Sequence, residues 1–106
     1  MEVEMPVGML LAGPGVSEDS YRQLTEKMFG SFPMTKEQSP DGLIVHTAGN
    51  SDQGWYVYDL WESKEHFNRF LETKLGPAVQ ELGADADGSP SPQFFEIGTL
   101  VWGKST

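Results

Sequence analysis

Two titratable side chains interrupt apolar segments of this sequence and are its best candidates for acid–base chemistry. His46 lies in the β-branched run LIVHTA, and Asp59 lies in the aromatic run WYVYDLW. A histidine can serve as a general base or as a hydrogen-bond partner of a substrate. A carboxylate in apolar surroundings needs a donor, and a histidine on the adjacent strand can supply it. We predict that His46 and Asp59 are catalytic, with His46 as the base and Asp59 orienting its imidazole. The alternative is structural: a strand histidine satisfied by a neighbour, and a carboxylate that anchors the backbone or pairs with a lysine or arginine.

Aromatic residues are dense around Asp59 and could form the walls of a ligand pocket. Trp55 and Trp61 alternate in phase with Asp59, and such residues share one face of a strand. Tyr21 lies on the apolar stripe of a predicted helix, from which its hydroxyl could reach the same pocket. The sequence predicts that Trp61, Tyr21 and Trp55 bind a small hydrophobic or aromatic substrate, with Trp61 as a stacking wall. Packing in the core or at an interface is the alternative.

Whether His46 and Asp59 meet depends on the pairing of two strands in a predicted hairpin. The polar loop of residues 49–54 has a glycine at each end and favours such a hairpin. A loop centred near residues 52–53 puts His46 directly opposite Asp59, and opposite residues share a face. A slip of one residue turns the two side chains to opposite faces, and the sequence leaves both registers open.

The predicted elements follow the order β-α-β-β-α-β in a chain that we expect to be one domain, residues 1–106. A split βαβ pattern of this kind forms a four-stranded antiparallel sheet with two helices on one face, the α+β ferredoxin-like fold. The predicted strands, in chain order, are residues 4–12, Leu43–Ala48, Trp55–Trp61 and Phe94–Trp102.

Two helices are predicted from their caps and apolar stripes. Ser17 is a typical N-cap of the first helix, which Gly30 ends. Ser63 caps the second helix, which Gly83 ends. Proline removes a backbone donor and clashes with the preceding turn. Gly76-Pro77 therefore predicts either a kink or a restarted helix with Pro77 in its first turn.

Charge and residue types exclude several classes of function. The sequence has 7 Lys and Arg against 16 Asp and Glu, a net charge of -9 that disfavours nucleic acid and anionic membranes as partners. There is no cysteine, and the two histidines are few for a metal site. The acidic loop Asp85–Asp87 is predicted to be a solvated turn. No glycine-rich phosphate motif occurs, so we predict neither a metal nor an organic cofactor.

The first residues of the sequence predict a cytoplasmic protein. Glu2 and Glu4 stand where a secretory signal would carry basic residues. The apolar run that follows is too short to span a bilayer.

Both faces of the predicted sheet are largely apolar. Helices can cover one face, whereas the other should be polar in a monomer. An uncovered face with this many aromatic residues would exceed the apolar patches typical of monomers. We therefore expect a homodimer that forms through the sheet faces.

One stretch of the sequence resembles a known group of proteins. The segment WYVYDLWESKEHFNRFLETKLGPAVQELG is similar to the antibiotic-biosynthesis-monooxygenase-like branch of the dimeric α/β-barrel superfamily. The resemblance rests on the strand end Trp61-Glu62-Ser63, on Phe67 and Phe70, on Leu75-Gly76-Pro77, and on Gly83. It implies a ferredoxin-like dimeric barrel with a pocket between the sheet and the helices, into which the tryptophan at the strand end points.

The resemblance leaves two functions open. One is a small cofactor-independent enzyme, a monooxygenase, cyclase or isomerase, that acts on an aromatic or polyketide-like metabolite. The other is a non-catalytic dimeric protein of the same fold that binds a ligand or serves in stress. Heme-degrading members also carry an asparagine on the first strand and a histidine further along the second helix than His66. This sequence has neither, which disfavours heme.

Overall fold

The protein is described here by a computed structural model that covers residues 5–13, 16–82 and 92–105. The acidic loop Asp85–Asp87 and Gly83 lie outside these residues. The strands and helices in chain order are β1 Val7–Ala12, α1 Glu18–Phe29, β2 Leu43–Ser51, β3 Gly54–Trp61, α2 Lys64–Phe70, α3 Gly76–Glu81 and β4 Gln93–Glu96. A 3₁₀ turn, Lys36–Gln38, lies before β2, and a π-helical segment, Leu71–Leu75, joins α2 to α3.

The sheet has four antiparallel strands in the order β2-β3-β1-β4. Helices connect β1 to β2 and β3 to β4, whereas β2 and β3 form a hairpin. This is the connectivity of a split βαβ unit. The core lies between the sheet and the helices, and its buried residues are Met9, Val57, Trp61 and Phe67. The predicted α+β ferredoxin-like fold is therefore confirmed.

The β2–β3 hairpin is longer than predicted. Ser51 pairs with Gly54, so only residues 52 and 53 form the turn and residues 49–51 extend β2 beyond Ala48. The Ser51 hydroxyl donates to the Gly54 carbonyl at 3.0 Å and accepts from the amide of Gln53 at 3.1 Å. Gly54 has a φ of 116°, a conformation that glycine adopts without strain. This tight closure fixes the register from Ser51 back to Val45, and the register shifts between Val45 and Leu43.

The caps of α1 are those that the sequence predicts. The Ser17 side chain accepts a hydrogen bond from the Ser20 amide at 3.1 Å. At the other end, Gly30 is left-handed with a φ of 76°, and its amide donates to the Glu26 carbonyl at 2.8 Å. Such caps satisfy backbone groups that have no partner inside the helix.

The second helical region restarts at Gly76 with Pro77 in its first turn, which is one of the two predicted outcomes. The turn before it is π-helical, and the Gly76 amide donates to the carbonyl of Leu71. A wider turn accommodates a proline that cannot donate and that would crowd the carbonyl of an α-helical turn. A Cβ on Gly76 would lie 2.8 Å from the Leu71 carbonyl oxygen, so a glycine fits this turn.

The last strand is shorter than predicted. It ends at Glu96, whereas the sequence pattern predicts a strand through Trp102. The Ile97 amide still donates to the Pro6 carbonyl at 3.0 Å. Because proline has no N–H group to donate back to Ile97, the hydrogen-bond ladder stops there. For the same reason β1 begins at Val7 instead of residue 4, which lies outside the described residues. Leu100, Val101 and Trp102 are exposed.

Candidate functional site

The hairpin places His46 directly opposite Asp59 on adjacent strands. Opposite residues share a face of the sheet, and here it is the face that the helices cover. The imidazole Nδ1 lies 2.7 Å from the Asp59 Oδ1. Asp59 is only 5% exposed, so its carboxylate depends on protein partners instead of water. Of the two registers that the sequence leaves open, the structure has the one that pairs these residues.

Tyr21 completes the cluster from α1. Its hydroxyl oxygen lies 2.6 Å from Nε2 of His46, and the two rings stack at 5.8 Å with an angle of 16° between their planes. The hydroxyl of Thr25 donates to the Tyr21 carbonyl at 2.9 Å. These contacts join residues from one helix and two strands, so the site depends on the assembled fold.

The indole of Trp61 is hydrogen-bonded to the second carboxylate oxygen of Asp59. Its Nε1 donates to Asp59 Oδ2 at 3.3 Å. The side chain is 1% exposed and packs between Phe67 and Phe70, at ring distances of 5.5 and 5.6 Å. Sequence reasoning predicts a stacking wall here and misses this hydrogen bond. The spacing of two residues along one strand was the signal that could have found it.

With Asp59 as a carboxylate and His46 as a neutral imidazole, the hydrogen bonds of the cluster run in one direction. A carboxylate can only accept, which assigns the shared proton of the first pair to Nδ1 of His46. The neutral imidazole then accepts at Nε2, so the Tyr21 hydroxyl donates to it. Tyr21, His46 and Asp59 therefore form a chain along which one proton can move toward the carboxylate.

Burial raises the pKa of the Tyr21 hydroxyl above its ordinary value of 10.0. The nearby Thr25 side chain opposes this rise, and the negative charge of Asp59 adds to it. A raised pKa means that the side chain is a neutral phenol near neutral pH. The hydroxyl thus carries a proton that it can give to His46.

A cavity of about 100 Å³ lies between the sheet and the helices beside this cluster. Tyr21, His46, Asp59 and Trp61 all border it, together with Thr25. The rest of the lining is apolar and comes from both helical regions, the sheet and the connection before β2: Met9, Leu11, Leu24, Met28, Phe29, Met34, Pro40, Leu43, Val57, Phe67, Phe70 and Leu75. The arrangement is an apolar chamber with one hydrogen-bonding end.

Trp55, the third residue predicted to bind substrate, lies on the same face but does not border the cavity. Its ring packs against Tyr21 at 5.5 Å. Its buried indole nitrogen has no hydrogen-bond partner in the part of the chain that the structure describes. Trp55 therefore packs against Tyr21 without lining the cavity.

His66 lies outside the cavity and serves the start of α2. Its Nδ1 is 2.7 Å from the Ser63 hydroxyl, which also accepts from the amide of His66 at 3.2 Å. Within residues 5–13, 16–82 and 92–105, no group of three or more histidines, aspartates or glutamates is arranged to hold a metal ion. In the same ranges, no helix has the length and apolar character needed to cross a membrane.

Comparisons with known proteins identify similar folds. No protein-family model and no curated protein sequence matches this chain. The crystal structure of PA3566 from Pseudomonas aeruginosa is similar with a TM-score of 0.54 and 12% identity, covering 95% of this chain and 100% of that one. A crystal structure of a monooxygenase from the gene ActVA-Orf6 of Streptomyces coelicolor, in complex with the ligand nanaomycin D, has a TM-score of 0.49 and 18% identity, covering 96% of this chain and 94% of that one.

Likeness at such low identity shows the fold alone. The strand order, the two helical regions on one face and the match to PA3566 agree with the fold that the sequence resemblance implies. The chain therefore has a ferredoxin-like α+β fold.

Proposed function

We propose that this chain is a small cofactor-independent enzyme that acts on an aromatic or polyketide-like metabolite in the cavity between sheet and helices. The observation that carries the proposal is the one-way hydrogen-bond chain from Tyr21 through His46 to Asp59 at the polar end of an apolar chamber. Proton transfer is far more effective when the groups are held in place and shielded from water. Such a chain suits the removal of a proton from a bound substrate.

In this proposal the first step is a proton relay. The O–H bond of an enolic or phenolic substrate, or a C–H bond beside its carbonyl, breaks, and the proton passes to the Tyr21 oxygen. The proton already on that oxygen passes to Nε2 of His46, so the tyrosine ends as it began. Asp59 stabilises the imidazolium that results, as a carboxylate does in other acid–base sites. The product of the step is a substrate anion, from which a monooxygenase, a cyclase or an isomerase can each proceed.

The residues differ in their roles. Tyr21 is proposed as the group that touches the substrate, because both ring nitrogens of His46 are already hydrogen-bonded. His46 is proposed as the base that acts through Tyr21, and Asp59 as its orienting partner. Trp61 is proposed to border the substrate while its indole holds Asp59. Trp55 supports Tyr21, and a direct contact with substrate stays a prediction from the sequence.

A homodimer is part of the proposal. The sheet face away from the helices carries apolar and aromatic side chains, and Phe95 on this face is 43% exposed. Leu10, Tyr58 and Leu60 share the face by register. A second copy would cover it. Sedimentation at micromolar concentration should give about twice 11.7 kDa, and a monomer there would contradict this part. Location in the cytoplasm stays a prediction from the sequence.

The hydrogen bonds within the cluster also favour a second candidate function, that of a non-catalytic ligand-binding protein. Every polar group of the cluster has a partner without any substrate, as in a purely structural network. A binding protein of this kind would take up an aromatic ligand and return it unchanged. Turnover separates the two candidates.

The test measures proton removal and oxygen use directly. A hydroxyacetophenone in deuterated water reports exchange beside its carbonyl by NMR, and hydroxylated benzenes report oxygen uptake. We expect rates above buffer for the wild type and a loss of about 100- to 10,000-fold in Tyr21→Phe and in His46→Ala. Tyr56→Phe, on the opposite face of the sheet, is the matched control and should keep the wild-type rate. Equal rates in Tyr21→Phe and Tyr56→Phe would refute the proposal.

A further inference from the structure

The cavity offers an anionic ligand no permanent cation. Its lining, as far as the described residues show it, contains neither lysine nor arginine, its one acidic side chain is Asp59, and its histidine already binds that carboxylate. The basic residues nearby are engaged on the outside. Lys27 pairs with Glu81 at 3.0 Å, and Lys74 donates to the Met28 carbonyl at 3.2 Å. A carboxylate or phosphate that entered the cavity would lose its water without gaining a counter-charge.

The donors at the polar end of the cavity are already used within the protein. Thr25 donates to the Tyr21 carbonyl, and the Tyr21 hydroxyl donates to His46. Nδ1 of His46 and the indole of Trp61 both donate to Asp59. What remains is acceptor capacity, because a hydroxyl oxygen that donates its proton still has lone pairs. The cavity is therefore complementary to a ligand that donates a hydrogen bond.

The volume of the cavity limits the size of this ligand. It measures about 100 Å³, whereas pockets for drug-sized molecules are typically about 300 Å³ or more. A cavity of about 150 Å³ in another protein accommodates benzene. Met9, Met28 and Met34 border the space, and methionine side chains adapt readily to a ligand. One aromatic ring with small substituents is therefore the largest ligand that the cavity can take, and binding it requires these side chains to move aside.

We propose that the cavity selects uncharged aromatic molecules of about one ring that carry a hydroxyl group, and that it rejects carboxylates and phosphates. The ligand hydroxyl donates to the Tyr21 oxygen while its ring lies among the methionine and phenylalanine side chains. The inference rests on the proposed function only in placing the ligand in this cavity. It goes further by naming the charge, the hydrogen-bonding sense and the size of the molecule.

Four one-ring probes of nearly equal size test each part of the inference. Titrations followed by calorimetry or by NMR compare meta-cresol, meta-methylanisole, toluene and meta-toluate at neutral pH. We expect meta-cresol to bind about tenfold more tightly than meta-methylanisole or toluene, which lack the donor. We expect meta-toluate to bind more than about 100-fold more weakly than meta-cresol. Equal affinity of meta-toluate and meta-cresol, or no binding of meta-cresol, would overturn the inference.

A variant with a cation in the lining tests the charge argument by gain of binding. Met28→Lys places an ammonium group on α1 beside the cavity, and Met28→Leu is the matched control without charge. We expect saturable binding of meta-toluate in Met28→Lys only. If wild type or Met28→Leu binds meta-toluate as tightly as Met28→Lys does, the charge argument is wrong. The wild-type panel decides the question even if Met28→Lys does not fold. Binding of meta-cresol without any turnover would refute the proposed enzyme and leave the ligand inference standing.

Discussion

The two histidines of this chain have the same kinds of partner and opposite surroundings. His46 lies between a hydroxyl and a carboxylate, at 2.6 Å from Tyr21 and 2.7 Å from Asp59. His66 also lies between a hydroxyl and a carboxylate, at 2.7 Å from Ser63 and 3.7 Å from Glu62. Residue types and distances alone would make both of them candidate catalytic clusters.

Burial and sequence separation distinguish the two clusters. The Asp59 side chain is 7% exposed, whereas that of Glu62 is 62% exposed. The partners of His46 come from α1 and β3 and border a cavity, while those of His66 are three and four residues away at the start of α2. A cluster that the tertiary fold assembles around a cavity can bind a ligand. A local cluster at a helix start satisfies the backbone.

The largest expected effect follows from removing the buried carboxylate. Asp59→Ala leaves the Nδ1 proton of His46 and the indole of Trp61 without their acceptor. We expect the free energy of unfolding to fall by about 2 to 4 kcal/mol, because buried polar groups lose their partners. Urea denaturation measures it. The corresponding variant of the other cluster is Glu62→Ala. If Asp59→Ala lowers the free energy of unfolding no more than Glu62→Ala does, the two clusters do not differ as described.

The second effect concerns the packing of His66. Gly42 has a φ of 86°, and a Cβ there would overlap the imidazole of His66. We expect Gly42→Ala to lower the free energy of unfolding by about 2 to 3 kcal/mol, from backbone strain and overpacking together. Gly30→Ala is the control, since Gly30 is also left-handed but has open space around its Cβ position. Equal losses in thermal or urea unfolding would show that the contact with His66 adds nothing.

The third effect is the dependence of stability on alkaline pH. Burial raises the pKa of Tyr21 above 10.0, so above that pH the unfolded chain releases this proton before the folded one does. The folded state then binds more protons, and stability falls as the pH rises. Tyr21→Phe should cost about 1 kcal/mol near neutral pH and should weaken the alkaline fall. Urea denaturation of the wild type and of Tyr21→Phe at a series of pH values measures both effects. If the stability of the two proteins falls in parallel above pH 10.0, the prediction is wrong.

The smallest effect is expected at the exposed carboxylate. Glu62 lies 3.7 Å from His66 and is largely in water. Exposed pairs of this kind contribute little, so Glu62→Ala should change the free energy of unfolding by less than about 0.5 kcal/mol. The same urea series as for Asp59→Ala gives the value. A loss above about 1 kcal/mol would show that His66 depends on this partner.

Sequence reasoning predicted the elements of the site better than their contacts. The caps Ser17, Gly30 and Ser63 were predictable because capping is local chemistry. The phase of Asp59 and Trp61 was predictable because strand alternation has a period of two. The register is not predictable from the strands alone, since it depends on the turn that Ser51 and Gly54 close.

Other features depend on partners that are distant in sequence. The end of β4 depends on Pro6, which has no N–H group to donate to Ile97. The contact of Tyr21 with His46 depends on how far α1 stands from the sheet. Neither is encoded in a local pattern, so each needed the assembled fold. The π-helical turn before Gly76 is different, because the local pair Gly76-Pro77 predicts an interruption there but not its π-helical form.

The most direct test of the account is the position of the proton on each imidazole, read by nitrogen-15 NMR at mildly alkaline pH. The hydrogen-bond chain requires the neutral His46 ring to carry its proton on Nδ1, with Nε2 free to accept from Tyr21. In Asp59→Ala this preference should weaken, while the signals of His66 stay unchanged. A proton on Nε2 of His46 in the wild type would contradict the relay, because Tyr21 could then no longer donate to that nitrogen.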